Sequence, residues 1–172
     1  MKNELLILVD ENDNEIGLKD KLSAHQEGLL HRAFSVFIFN SDNELLLQQR
    51  ADGKYHSGGL WSNTCCSHPN NIESFSETIS RRLKEEMGIE SEVEFQFKFL
   101  YHTPFENGLM EHEMDYVYFG KSDEKPHPDS SEVKSWKYIS LEALNEDISS
   151  NPQNYSVWLR ECLPEVLNHF KK

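Results

Sequence analysis

The sequence predicts an α/β (α+β) fold, a mixed β-sheet core flanked by helices, on three observations. Residues 92–101 alternate apolar and polar side chains with the period of a strand. Phe75, Ile79, Leu83 and Met87 recur every four residues, which lays one buried stripe along a helix. Strands and helices succeed one another without regular βαβ units, so the sheet is mixed rather than all parallel. No repeat, low-complexity tract or linker interrupts the pattern, and residues 1–172 are expected to form a single compact domain.

Taken in order, Glu4–Asp10 reads as a strand and Glu11–Asn14 as the turn into Glu15–Gly17. Asp20–Leu30 is polar and irregular. Ala33–Phe39 is apolar on both faces, the pattern of a central strand, and Asn40–Asn43 turns it into Glu44–Arg50 as a hairpin. Ala51–Gly59 is a loop. Trp61–Pro69 reads as extended, and its period of two aims Cys66 and His68 at the same side. The striped helix covers Glu73–Glu86 and ends at Gly88. In Glu92–Tyr101, the side chains of Val93, Phe95, Phe97, Phe99 and Tyr101 share one face, the last a polar tip at the edge of the core. Met110–Phe119 is a further strand, then comes a loop over Lys121–Ser131 and a strand over Glu132–Ile139. Ser140 caps a short helix through Asp147. Asn151-Pro152 starts a final helix, which Pro164 should kink or divide.

A formal net charge of −13 argues against a general nucleic-acid or membrane-surface binder, since both need a basic face. It leaves room for an anionic small molecule held where a few basic residues converge. The longest apolar runs, such as Leu5–Val9, are too short to span a bilayer. Three cysteines, two of them adjacent, make a poor disulfide framework and point to a reduced compartment. Met1-Lys2-Asn3-Glu4 lacks the long apolar region of a signal peptide, so the cytoplasm is the expected location. Nothing in the sequence fixes an oligomeric state.

Two runs carry chemistry. Cys66 and His68 put a thiol two residues from an imidazole, a proton carrier beside the commonest metal ligand. Alone, that run reads as a buried cysteine next to a His-Pro turn. In Met110–Phe119, Glu111, Glu113 and Asp115 follow one another on one face, and adjacent carboxylates repel unless water or a cation lies between them. The competing reading is an exposed edge strand whose acidity discourages aggregation. His25, His31, His68, Glu111 and Glu113 together form a donor set that suits Zn, Mn, Fe or Mg. Glu86 is a second candidate cation ligand. Lys21, Arg50, Lys54 and Arg82 are candidates for holding a phosphate group, which arginine does bidentately. Any one of these charges, taken singly, has a solvated surface as its ordinary fate.

The run Ser67-x5-Glu73-x7-Arg81-Arg82-Leu83-Lys84-Glu85-Glu86-Met87-Gly88-Ile89 resembles the Nudix box, G-x5-E-x7-R-E-U-x-E-E-x-G-U. Ser67 replaces its first Gly, and Arg82 replaces a Glu that is a principal metal ligand of Nudix hydrolases. That second departure points away from diphosphate hydrolysis. Trp61-Ser62-Asn63-Thr64-Cys65-Cys66-Ser67-His68-Pro69 resembles the W-[TS]-N-[ST]-x-C-[GCS]-H-P run of type 1 isopentenyl-diphosphate isomerases. The match in residue order extends from about Gly17 to about Trp158, most of the chain.

The resemblance implies a Nudix-like sheet and the interconversion of isopentenyl and dimethylallyl diphosphate by protonation at one carbon and deprotonation at another. It implies Cys66 as the acid/base on one face of the substrate and Glu113, assisted by Tyr101, as its counterpart on the other. Trp158 matches the aromatic residue that stabilises a carbocation. His25, His31, His68, Glu111 and Glu113 match a divalent-metal site for Mn2+ or Zn2+, and Glu86 matches the ligand of a Mg2+ that also binds the diphosphate. Lys21, Arg50, Lys54 and Arg82 match the diphosphate-binding residues. The implied partner is a small-molecule prenyl diphosphate, with no nucleic acid and no membrane. The rival readings are a Nudix diphosphate hydrolase, which has no need of Cys66, and a non-catalytic metal- or prenyl-diphosphate-binding protein on the same fold.

Overall fold

The computed structural model describes residues 4–171. In chain order its elements are β1 (Leu5–Val9), β2 (Glu15–Asp20), α1 (Lys21–Glu27), β3 (His31–Phe39), β4 (Glu44–Arg50), β5 (Trp61–Ser62) and β6 (Cys65–Ser67). Then follow α2 (Phe75–Met87), β7 (Val93–Pro104), β8 (Met110–Lys121), β9 (Val133–Ser140), α3 (Leu141–Ser150) and α4 (Val157–Phe170), with a 3-10 turn at Pro152–Asn154.

β3 is the axis of the sheet, and only Arg32 along it is not buried. Its even-numbered side chains, Phe34, Val36 and Ile38, pack against Ile79, Leu83 and Met87 of α2. Phe37 and Phe39 point the other way, into a cluster with Leu141 and Leu144 of α3 and Leu159, Leu163 and Val166 of α4. The two-sided apolar pattern of the strand thus has a helical layer to bury each face, at roughly 1.5–3 kcal/mol per fully buried Leu, Ile or Phe.

One edge of β3 pairs in parallel with β8 from His31↔Glu113 to Phe39↔Lys121. The other edge is shared by β1 at Leu8↔His31, by β6 at Phe34–Val36, and by β4 at Phe39↔Leu45. The expected β3–β4 hairpin is therefore reduced to a single pair, because β6 occupies the edge that a hairpin needs. β4 pairs instead with β9 and β5.

Other expectations change in the same way. Asp20–Leu30 is not irregular: Asp20 accepts from the Ser23 amide and caps α1, and Gly28 closes it in the left-handed region. The shared face of Val93–Tyr101 is broken by a bulge, since Phe95 pairs with Tyr118 and Phe97 with Val117, leaving Gln96 unopposed. Phe95 is 51% exposed, while Phe97 and Phe99 pack on the α3–α4 side. β8 is no edge strand, being paired on both sides, and Glu111, Glu113 and Asp115 are 3%, 6% and 1% exposed. Asn151-Pro152 opens the 3-10 turn rather than α4, and α4 runs unbroken through Pro164. In α2, Ser74 and Glu77 form a reciprocal capping box, and Gly88 ends the helix at φ 66°. Among the described residues no helix is long and apolar enough to cross a membrane.

Candidate active site and metal centre

Register builds the site. His31 of β3 stands beside Glu113 of β8, and Glu113 stands beside Tyr101 of β7, so three side chains line up across three strands. On the other edge of β3, Ser35 stands beside Cys66 of β6. Cys65, one residue earlier, turns into the α2 core, so Cys66 faces the α4 side with the carboxylates. Cys66, His68, Tyr101, Glu111, Glu113 and Trp158 line one cavity. The same cavity has a basic lining of Lys21, Arg50, Lys54 and Arg82, with Glu86 among them.

His25, His31, His68, Glu111 and Glu113 are all buried and each offers an atom within 4.8 Å of every other. The His25 Nδ1 bonds the Lys21 carbonyl at 2.6 Å and the His31 Nδ1 the Leu29 carbonyl at 2.8 Å. A carbonyl only accepts, so both Nδ1 atoms carry hydrogen and both Nε2 lone pairs point inward. The His25 Nε2, His31 Nε2 and Glu111 Oε2 are buried without a hydrogen-bond partner, and the first and third lie 3.3 Å apart. Buried lone pairs converging with nothing to donate to them fit a divalent cation. Burial pushes the His68 imidazole below its usual range, which keeps it a neutral donor. Burial alone would raise the Glu113 carboxyl, but the His31 and His68 imidazoles, 3.5 Å and 3.1 Å from its Oε1, outweigh it and hold that group well below the usual range.

The Tyr101 hydroxyl donates to Glu113 Oε2 at 2.9 Å, and burial lifts its phenol well above normal, so it keeps its proton. The Cys66 Sγ donates to Asn63 Oδ1 at 3.0 Å, and the Trp158 Nε1 lies 3.1 Å from the same sulfur. Burial pushes the Cys66 thiol up to about 12. Ser35 donates to Asp115 at 2.7 Å and sits 3.7 Å from Cys66 Sγ. On the basic wall, Arg82 donates to Glu86 Oε1 at 2.7 Å, and Gln48 to Glu86 Oε2 at 3.0 Å. Burial raises the Glu86 carboxyl, against the opposing charge of Arg82. Lys54 pairs with Glu132 at 2.6 Å, and the Arg50 guanidinium lies 5.1 Å over the Trp158 ring. The Nε atoms of Arg50 and Arg82 are buried without a partner, which suits an incoming anion.

The NUDIX domain family matches residues 29–164. An isopentenyl-diphosphate Delta-isomerase 2 of Aromatoleum aromaticum is 50% identical over 163 residues, 95% of this chain and 86% of its own length. The isopentenyl-diphosphate Delta-isomerase of Serratia proteamaculans is 47% identical, over 95% of this chain and 92% of its own. The chain belongs to the isopentenyl-diphosphate Delta-isomerase family, on a Nudix fold. Two solved structures, more distant in sequence, bear on the fold alone. A Deinococcus radiodurans protein superimposes with a TM-score of 0.77 at 20% identity, over 94% of this chain and 98% of its own. A MutT protein from Methanosarcina mazei does so with 0.68 at 18% identity, over 83% and 96%.

For this member of the isopentenyl-diphosphate Delta-isomerase family, sequence reasoning missed two residues that line the cavity, Ser35 and His56, and one that holds Cys66, Asn63. Ser35 was the one polar residue inside an apolar strand, a usable signal. Asn63 lies within the conspicuous Trp61–Pro69 run. His56 gave no signal: it is one histidine in a loop, with no spacing to another ligand.

Proposed function

We propose that the chain interconverts isopentenyl diphosphate and dimethylallyl diphosphate, with Cys66 and Glu113 as its two proton carriers. The observation that carries this reading is that both line one cavity from strands on opposite edges of β3. A proton delivered to the terminal methylene of isopentenyl diphosphate makes a tertiary cation, and loss of a proton from C2 gives the internal double bond. No atom is gained or lost overall. Tyr101 stands behind Glu113 and holds or returns its proton through their hydrogen bond.

Trp158 offers an aromatic face to the cation, and the strands and α4 keep out the water that would quench it. Lys21, Arg50, Lys54 and Arg82 hold the diphosphate, the arginines through buried Nε atoms that otherwise lack partners. His25, His31, His68, Glu111 and Glu113 would hold Mn2+ or Zn2+, and Glu86 a Mg2+ shared with the diphosphate. A bound divalent ion would supply fixed positive charge, which lowers the proton affinity of its carboxylate ligands, makes a proton on Glu113 easier to give up, and screens the substrate's anionic end. Residues 1–172 are read as one such domain, and three free cysteines favour a reducing cytoplasm as its location.

The test is the acid lability of the product. An allylic diphosphate solvolyses in acid and its homoallylic isomer does not, so incubation with isopentenyl diphosphate should generate acid-labile material with no free phosphate. Release of phosphate without acid-labile product would favour a Nudix hydrolase and end the proposal.

A further inference from the structure

The metal cage has an outer contact that comes from an unexpected place. His56 lies in the loop between β4 and β5, the loop that also carries Lys54, and its Nε2 is 2.7 Å from Glu111 Oε1. Glu111 therefore divides its two oxygens. Oε1 is taken by His56, and Oε2 is buried, unpartnered and aimed at the His25 Nε2. A carboxylate oxygen only accepts, so the His56 Nε2 carries the hydrogen, and its Nδ1 accepts from the Ser57 hydroxyl at 3.2 Å.

The ring is held on several sides. It stacks on Phe105 at 4.6 Å and 9°, and meets the Trp158 ring edge-on at 5.8 Å. The turn that carries Phe105 is itself tied to the loop, since Asn107 Nδ2 donates to the Tyr55 carbonyl at 2.7 Å. Arg50 donates to the His56 carbonyl at 3.3 Å, and Ser57 adopts a left-handed φ of 55°. A surface loop does not hold this many constraints around one imidazole unless its position matters.

We propose that His56 is a positioning residue that orients Glu111 toward the cation and fastens the substrate-binding loop to the metal centre. This rests on the reading of the His/Glu set as a metal site. Two consequences follow from one hydrogen bond. Partners that orient a metal ligand ordinarily contribute ten- to hundredfold to metal affinity. Because the same loop carries Lys54, cation binding and ordering of the loop are thermodynamically linked, and each favours the other.

The experiment uses the full chain freed of metal by dialysis against chelator, titrated with Mn2+ while free Mn2+ is followed by electron paramagnetic resonance. His56→Phe keeps the stacking ring and removes the donor. It should weaken Mn2+ binding about ten- to hundredfold while the metal-free thermal midpoint stays at the parent's value. His56→Gln, which restores an N–H, should recover part of the loss. Amide hydrogen exchange of residues 54–57 should slow on adding Mn2+ to the parent and not to His56→Phe. Phe105→Ala removes the stacking face and touches no ligand. It should shift affinity the same way, which keeps the idea testable should His56→Phe not fold. Affinity within twofold of the parent in both variants, with Glu111→Gln losing Mn2+, would overturn the role of His56 alone. Parent-like Mn2+ binding by Glu111→Gln would overturn the metal-site reading, and this proposal with it.

Discussion

Cys66 is caged by Asn63, Ser35, Ser62 and the Trp158 indole, and every one of those groups holds the sulfur without being able to replace its proton chemistry. Cys66→Ala removes a proton carrier and leaves the cage. The substitution should lower kcat about 10^2- to 10^4-fold, with bound metal and thermal midpoint unchanged, as followed by product formation and by unfolding scans. The residues proposed to act on substrate or cation are legible because their types recur at the period of a strand: Cys66 with His68, and Glu111 with Glu113. The residues that only orient them were not. Asp115 is visible in the sequence as a third carboxylate, yet its bond to Ser35 depends on which strand lies beside β8, and no local pattern states that.

α2 shows how much a helix can declare in advance. Its buried stripe and terminal glycine fixed its position to within two residues, and its capping box could have been read from Ser74 and Glu77. Gly88 has two reasons to be glycine: its φ of 66°, and the His127 carbonyl oxygen, into which an added Cβ would run. Gly88→Ala should therefore destabilise by at least about 1–2 kcal/mol, measured by denaturant unfolding. Acid will find another weak point of this element. Hydrogen bonds from Arg81 hold the Glu73 carboxyl down to about 2, from an ordinary 4.5. A depressed carboxyl adds stability that is complete above the unfolded value and disappears as pH falls through the folded one. Glu73→Gln should thus flatten the loss of stability between those two values and matter little to its slope near neutrality, by unfolding at a series of pH values. By contrast α1, seven residues long with only Ala24 and His25 buried, has no stripe to betray it. The bulge at Gln96 is equally silent, because each half of β7 alternates correctly by itself.

The molecule as a whole gathers its site by pairing strands distant in sequence, and this topology is what composition and periodicity do not contain. Elements could be located one by one, and the family resemblance supplied the sheet they belong to. That β6 rather than β4 runs along the middle of β3 came only with the structure. The cage of buried donors also links metal to global stability. A ligand that binds the folded chain and not the unfolded one raises the unfolding midpoint by mass action. Mn2+ should raise it in a concentration-dependent way, and His31→Ala should abolish the rise. Chelator should remove activity from the parent and added metal restore it.

The most direct test of the central claim is a proton NMR time course of isopentenyl diphosphate with the full chain and Mg2+ in deuterated buffer. The terminal methylene signals should disappear and dimethylallyl signals grow, with deuterium in the new methyl group and the diphosphate intact. Methylene signals that persist while the diphosphate is cleaved, or no change at all in a metal-loaded sample, would contradict it.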